Sequence, residues 1–120
     1  MLKKLLITLM VICVCGVVFG ASMKSFWNVS TSTQTIIRGT ETIIEVNLIN
    51  ATTIPLIIDL TSNRSTPMVY KRVYVPKETN VCVPMYEQNI VNFGVNISSH
   101  TPNLTGVVIT NKVGGDVIYR

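Results

Sequence analysis

The sequence predicts an all-β protein: an antiparallel two-sheet sandwich of seven or eight short strands. Three observations carry that expectation. Several runs alternate apolar and polar residues with period two, the signature of a half-buried strand. Turn-forming residues punctuate the chain every 8–12 residues or so, the spacing of small sandwiches. After the first twenty-odd residues, no stretch holds a 3.6-residue apolar period long enough for a helix.

The N-terminus reads differently from the rest. Lys3 and Lys4 precede an almost unbroken apolar run from Leu5 to Phe19, and Gly20-Ala21-Ser22 supplies small residues. This is the layout of a secretory leader, so residues 1–22 are expected to be a signal peptide and 23–120 a single domain. The rival reading is a retained membrane anchor, because the run approaches the ~17-residue minimum for a span. Lys3 and Lys4 account for two of the ten basic residues, leaving eight against six acids and a net charge of +2 after the leader. That balance does not favour nucleic acid or an anionic membrane, which call for a clustered basic patch. Cys13 and Cys15 leave with the leader, and Cys82 alone cannot form an internal disulfide.

In chain order, Met23 to Ser32 carries Phe26 and the single tryptophan, Trp27, and suits a first edge strand or a lid over one end of the core. Gln34 to Ile37 is a short apolar run, Arg38-Gly39-Thr40 a turn, and Thr42 to Ile49 the clearest alternation in the chain. Leu56 to Leu60 follows the loop at Asn50 to Thr53. The stretch Tyr70 to Met85 then places two Val/Tyr-rich runs around Pro76-Lys77-Glu78-Thr79-Asn80, a polar reversal between antiparallel strands, with Pro84 ending the second run. Glu87-Gln88-Asn89 reads as a connection, Val91 to Ile97 and Gly106 to Thr110 as strands, Gly114-Gly115 as a turn and Asp116 to Tyr119 as a last strand. The expected core is Ile44, Val46, Leu48, Leu56, Ile58, Leu60, Val73, Val75, Val81, Val83, Phe93, Val95 and Ile97.

From Ile37 to Ser98 the pattern resembles the immunoglobulin-like repeats of secreted and cell-surface proteins, particularly microbial adhesin-type ones. The matching pieces are Arg38-Gly39-Thr40, Ile44 to Leu48, Ile54-Pro55, Ile58 to Leu60 with Ser62-Asn63, Val73-Tyr74-Val75-Pro76, Val81 to Val83 and Val95 to Ile97. The resemblance implies an immunoglobulin-like β-sandwich and leaves function open, since such folds host many roles. It departs where that family often has a glycine, near Lys77 or Glu78, and in its usual tandem arrangement.

No constellation for catalysis is evident. His100 is the sole histidine, the six acids are dispersed, and no Gly-x-Ser-x-Gly elbow occurs. No enzyme activity, cofactor or metal is therefore expected. Tyr70, Arg72 and Tyr74 fall on one strand face and are residue types enriched at interface hot spots, so they are the candidate partner-binding group. The alternative is that their rings cover neighbouring strands. Asn-x-Ser/Thr occurs at Asn28, Asn50, Asn63, Asn96 and Asn103, either as N-glycosylation sites or as accidents of a Thr/Asn-rich composition. Cys82 lies on the face opposite Val81 and Val83, as an inert thiol or an interchain disulfide. The expected function is a secreted, non-catalytic, monomeric binding module for a protein or glycan partner, extracytoplasmic (periplasmic or at the cell surface in a bacterium), with no membrane association after leader cleavage. The alternatives are a structural subunit of a surface appendage or coat, and a small secreted enzyme inhibitor.

Overall fold

A computed structural model describes residues 20–63, 66–102, 104 and 112–120. Residues 1–19 of the expected leader, with Cys13 and Cys15, the sequon asparagine Asn103 and the expected strand Gly106 to Thr110 lie outside the described residues. Within them the chain is all-β and antiparallel. The strands are β1 (Ser22–Trp27), β2 (Gln34–Asn50), β3 (Leu56–Asn63), β4 (Pro67–Val75), β5 (Thr79–Ile97) and β6 (Val113–Tyr119). They form one open six-stranded sheet in the order β1-β6-β2-β5-β3-β4. Two sheets and seven or eight strands are expected from the sequence; the described residues show six strands in one sheet. Two strands run far longer than the sequence suggested, and both wings of the sheet hang from that pair.

The β2–β5 ladder runs from Gln34↔Val95 to Asn50↔Thr79. β6 pairs only with the second half of β2, Ile43 to Asn50, and β1 lies outside it. β3 pairs only with the end of β5, Gly94 to Ile97, and β4 lies outside that. With no helix among the described residues to cover either face of the sheet, its apolar side is buried where the sheet folds over. One core cluster indeed draws on all six strands, from Phe26 and Val117 to Leu56, Val73 and Val75. A direct contact makes the same point. β2 and β4 stand three places apart, about 14 Å in a flat sheet, yet Asn50 Nδ2 donates to the Val75 carbonyl at 3.1 Å.

The bend has a sequence cause that alternation alone did not expose. Register shifts in the β2–β5 ladder cluster between Thr35 and Glu45. Positive φ angles fall at Gly39, Tyr86, Asn89 and Asn92 across the same zone. Extra residues in one strand increase its twist and bend it. Arg38-Gly39-Thr40 is thus a bulge inside β2 rather than a turn, with the Gly39 N–H donating to Asn92 Oδ1 at 2.9 Å. Glu87-Gln88-Asn89 likewise belongs to β5 and is not a connection. Pro84 does not end the strand. It sits opposite Glu45, beside a register shift, where β5 has only β2 as its ladder partner, the kind of place that tolerates a proline.

The reversal at Lys77–Glu78 is present, Glu78 taking φ 53°, but its flanking strands do not pair with each other: β4 pairs with β3 and β5 with β2 and β3. Gly114-Gly115 is not a turn either. A side chain at Gly115 would place its Cβ 1.8 Å from the Asn47 carbonyl oxygen, and one at Gly114 would meet the Trp27 ring. These glycines let β6 lie between β1 and β2. All thirteen expected core residues except Val81 are buried, and Val81 packs against the cluster half-buried. Ile44 is buried but outside the cluster, because the register shift between Ile43 and Glu45 gives Ile43 its inward place. The core also takes Phe26, Val29, Ile36, Ile37, Ile90, Val113 and Val117.

Candidate binding surface

Alternation along β4 places Tyr70, Arg72 and Tyr74 on one face, and a bulge divides them. Lys71 stands opposite Leu60 and Val69 opposite Thr61, which leaves Tyr70 as the extra residue. Its ring packs half-buried against the core, and its hydroxyl is buried with no hydrogen-bond partner among the described residues. Burial first, and the charge of Glu87 second, push the phenol above its ordinary range. Tyr70 is therefore a packing residue in this arrangement. Arg72 and Tyr74 remain outside, Tyr74 at 59% exposure.

Arg72 anchors a polar row across the outer face. Its Nε donates to Asp59 Oδ1 at 2.9 Å, Asn96 Nδ2 reaches Asp59 Oδ2 at 3.4 Å, and Thr33 Oγ1 reaches Asn96 Oδ1 at 3.3 Å. Asp59 stands opposite both Arg72 and Asn96 in the ladders, so register alone brings the three together. The Asp59 side chain is 7% exposed and that of Arg72 50%, so the pair is closed from the β3 side and open from the β4 side. Along the same strand, Met68 and Val69 are exposed beside Lys71. β4 pairs on one side only and ends the sheet. An end strand with exposed apolar and cationic side chains offers both unpaired backbone groups and side-chain contacts to a partner.

On the other wing, Met23, Glu45, Asn47, Cys82, Asp116 and Ile118 line an open groove of about 280 Å³. The alternation of Glu45 and Asn47 marked an outward face in the sequence, but only the pairing of Asn47 with both Cys82 and Asp116 assembles it. Cys82 is a free, exposed thiol that donates a hydrogen bond to the Glu45 carboxylate. That bond, then partial burial and the Glu45 charge, push it up to about 11. Among the described residues no three His, Cys, Asp or Glu side chains converge as metal ligands, and His100 lies in an exposed turn.

The sequons separate sharply. Asn50 is not in a loop but ends β2, 1% exposed, with its amide spent inside the fold. Asn96 belongs to the outer polar row, and Ser98 of its sequon is fully buried. Asn63 ends β3 half-buried, with Arg64 and Ser65 outside the described residues. Asn28 is exposed. A comparison of the chain with known protein families, curated proteins and solved structures returns no match.

Proposed function

We propose that this chain is an exported, non-catalytic interaction module that recognises a protein or glycan partner along β4, chiefly through Arg72 and Tyr74. The observation that carries the reading is the free outer edge of β4, where Met68, Val69 and Tyr74 are exposed beside Lys71 and Arg72. Aromatic and arginine side chains concentrate binding energy at interfaces, and a rigid sheet holds them in place at little entropic cost. The bent sheet also accommodates the immunoglobulin-like reading, with its two wings as the layers of a sandwich. The test is capture of partners from the surrounding medium or host surface, with wild type beside an Arg72→Ala/Tyr74→Ala double variant. Loss of capture with an unchanged β spectrum is expected. Equal capture by both would reject β4 as the contact surface.

A second reading, a subunit of a surface appendage or coat, draws on the two end strands β1 and β4, each able to pair with a neighbouring copy. Size-exclusion chromatography separates them: a single small species fits the module, and large assemblies fit the appendage.

A further inference from the structure

We propose that, of the sequons the structure describes, Asn28 is the one that carries an N-glycan, and that Asn50 must stay bare for the chain to fold; the proposal rests on the exported reading above. The two asparagines share a motif and differ in everything around it. Asn28 follows the end strand β1, is exposed, and takes φ 66°, a conformation asparagine tolerates better than most residues. Its neighbours are pinned. The N–H of buried Val29 donates to the Val113 carbonyl at 3.1 Å, and the Ser30 carbonyl accepts from Ile97 N–H at 2.7 Å. The backbone carbonyl of Asn28 accepts from Gln34 Nε2 at 2.9 Å. No hydrogen bond within the described residues engages its side-chain amide, so a glycan there breaks none of their contacts.

Asn50 is the opposite case. Its Nδ2 is shared among the carbonyls of Ile54, Val75 and Pro76 at 2.9, 3.1 and 3.2 Å. Its Oδ1 accepts from the N–H and hydroxyl of Thr52 at 3.0 and 2.5 Å. A sugar on that nitrogen has no room and breaks the junction of two connections. Asn96 lies between the two: a glycan there would disturb its contact with Asp59.

The transfer joins Nδ2 to the anomeric carbon of a lipid-pyrophosphate-linked oligosaccharide and breaks that carbon's bond to the pyrophosphate oxygen. The lipid pyrophosphate leaves and the amide gives up one proton. Because transfer precedes folding, a chain modified at Asn50 is trapped before its corner can close. A glycan on Asn28 would stand at the end of β1 and cover that free edge, which opposes edge-to-edge pairing there.

The experiment is to express the full chain behind a host secretory leader in eukaryotic cells, remove N-glycans enzymatically in heavy-oxygen water, and map the labelled asparagines. Label at Asn28 and none at Asn50 is expected in protein recovered from the medium, and Asn28→Gln should lose that label while still folding. Bare Asn28, or label at Asn50 in folded secreted protein, overturns the proposal. Chain held inside the cells is mapped in the same way: label at Asn50 there agrees with a blocked corner, and bare Asn28 counts against the proposal. A parallel expression without the host leader reads export by itself, so failure of export is not confused with failure of the site.

Discussion

Two hydrogen-bonded clusters built from the same kinds of groups sit in this molecule, and they should differ widely in worth. At the Asn50 corner one buried amide serves five partners: three carbonyls and both donors of Thr52. It ties the β2–β3 connection to the end of β4, which the Glu78 N–H to Thr52 carbonyl bond also joins at 3.1 Å. On the outer face, Arg72, Asp59, Asn96 and Thr33 make a row of similar length, half in water. The first cluster has few alternative partners when broken, because solvent is shut out from its Val75 and Thr52 side. The second can replace each lost bond with water. Placement, more than the number of bonds, sets the energy.

The largest break should come from Asn50. Asn50→Ala takes the amide away from the Val75 and Pro76 carbonyls and leaves the Thr52 hydroxyl and the Ile54 carbonyl only each other, and a loss of about 2–4 kcal/mol is expected in urea unfolding. Asn50→Asp keeps the shape but turns a carboxylate towards three carbonyls and should be no better. If either variant costs as little as a surface change, the corner is not the closure described here.

The outer row should yield less, and unequally. Asp59→Ala removes the buried partner and is expected to cost about 1–2 kcal/mol. Arg72→Ala removes the exposed partner and should cost about 0.5 kcal/mol in itself. A double-mutant cycle gives the coupling, and added salt should shrink it.

A third contrast reads out in reactivity. The Glu45 carboxylate favours the protonated form of Cys82, so the thiolate, the reactive species, should be scarce until pH nears 11. Alkylation at pH 8 should be slow and rise about tenfold per pH unit below that value, since each unit multiplies the thiolate fraction by that factor. Glu45→Ala should speed it by on the order of a hundredfold at pH 8, as the thiol returns towards its ordinary value of about 8.5. An unchanged rate would remove Glu45 as the cause.

The smallest effect should be at Tyr70, whose buried hydroxyl has no partner among the described residues. Tyr70→Phe removes that group from an apolar setting and should leave stability unchanged or raise it by up to about 1 kcal/mol. A clear loss would mean the hydroxyl has a partner, and would narrow the contrast with Asn50.

The sequence by itself determined that the chain is all-β and which side chains fill most of its core. Alternation at Val46, Leu48, Ile58, Val73 and Phe93 needs only the two-residue period of a strand to be read. Cys82 on the outward face followed from the same period. Only the tertiary structure decided that Gly39 and Pro84 interrupt long strands without ending them. A glycine or proline signals irregular backbone, but whether a partner strand carries on past it depends on residues dozens of positions away. Bulges also defeat period counting, which is why Tyr70 turned inward while Arg72 and Tyr74 stayed out. Asn50 looked like a loop sequon because its sequence neighbours are polar. Its partners Val75 and Pro76 reach it through the bend of the sheet, and no local pattern encodes a contact made by folding two wings together.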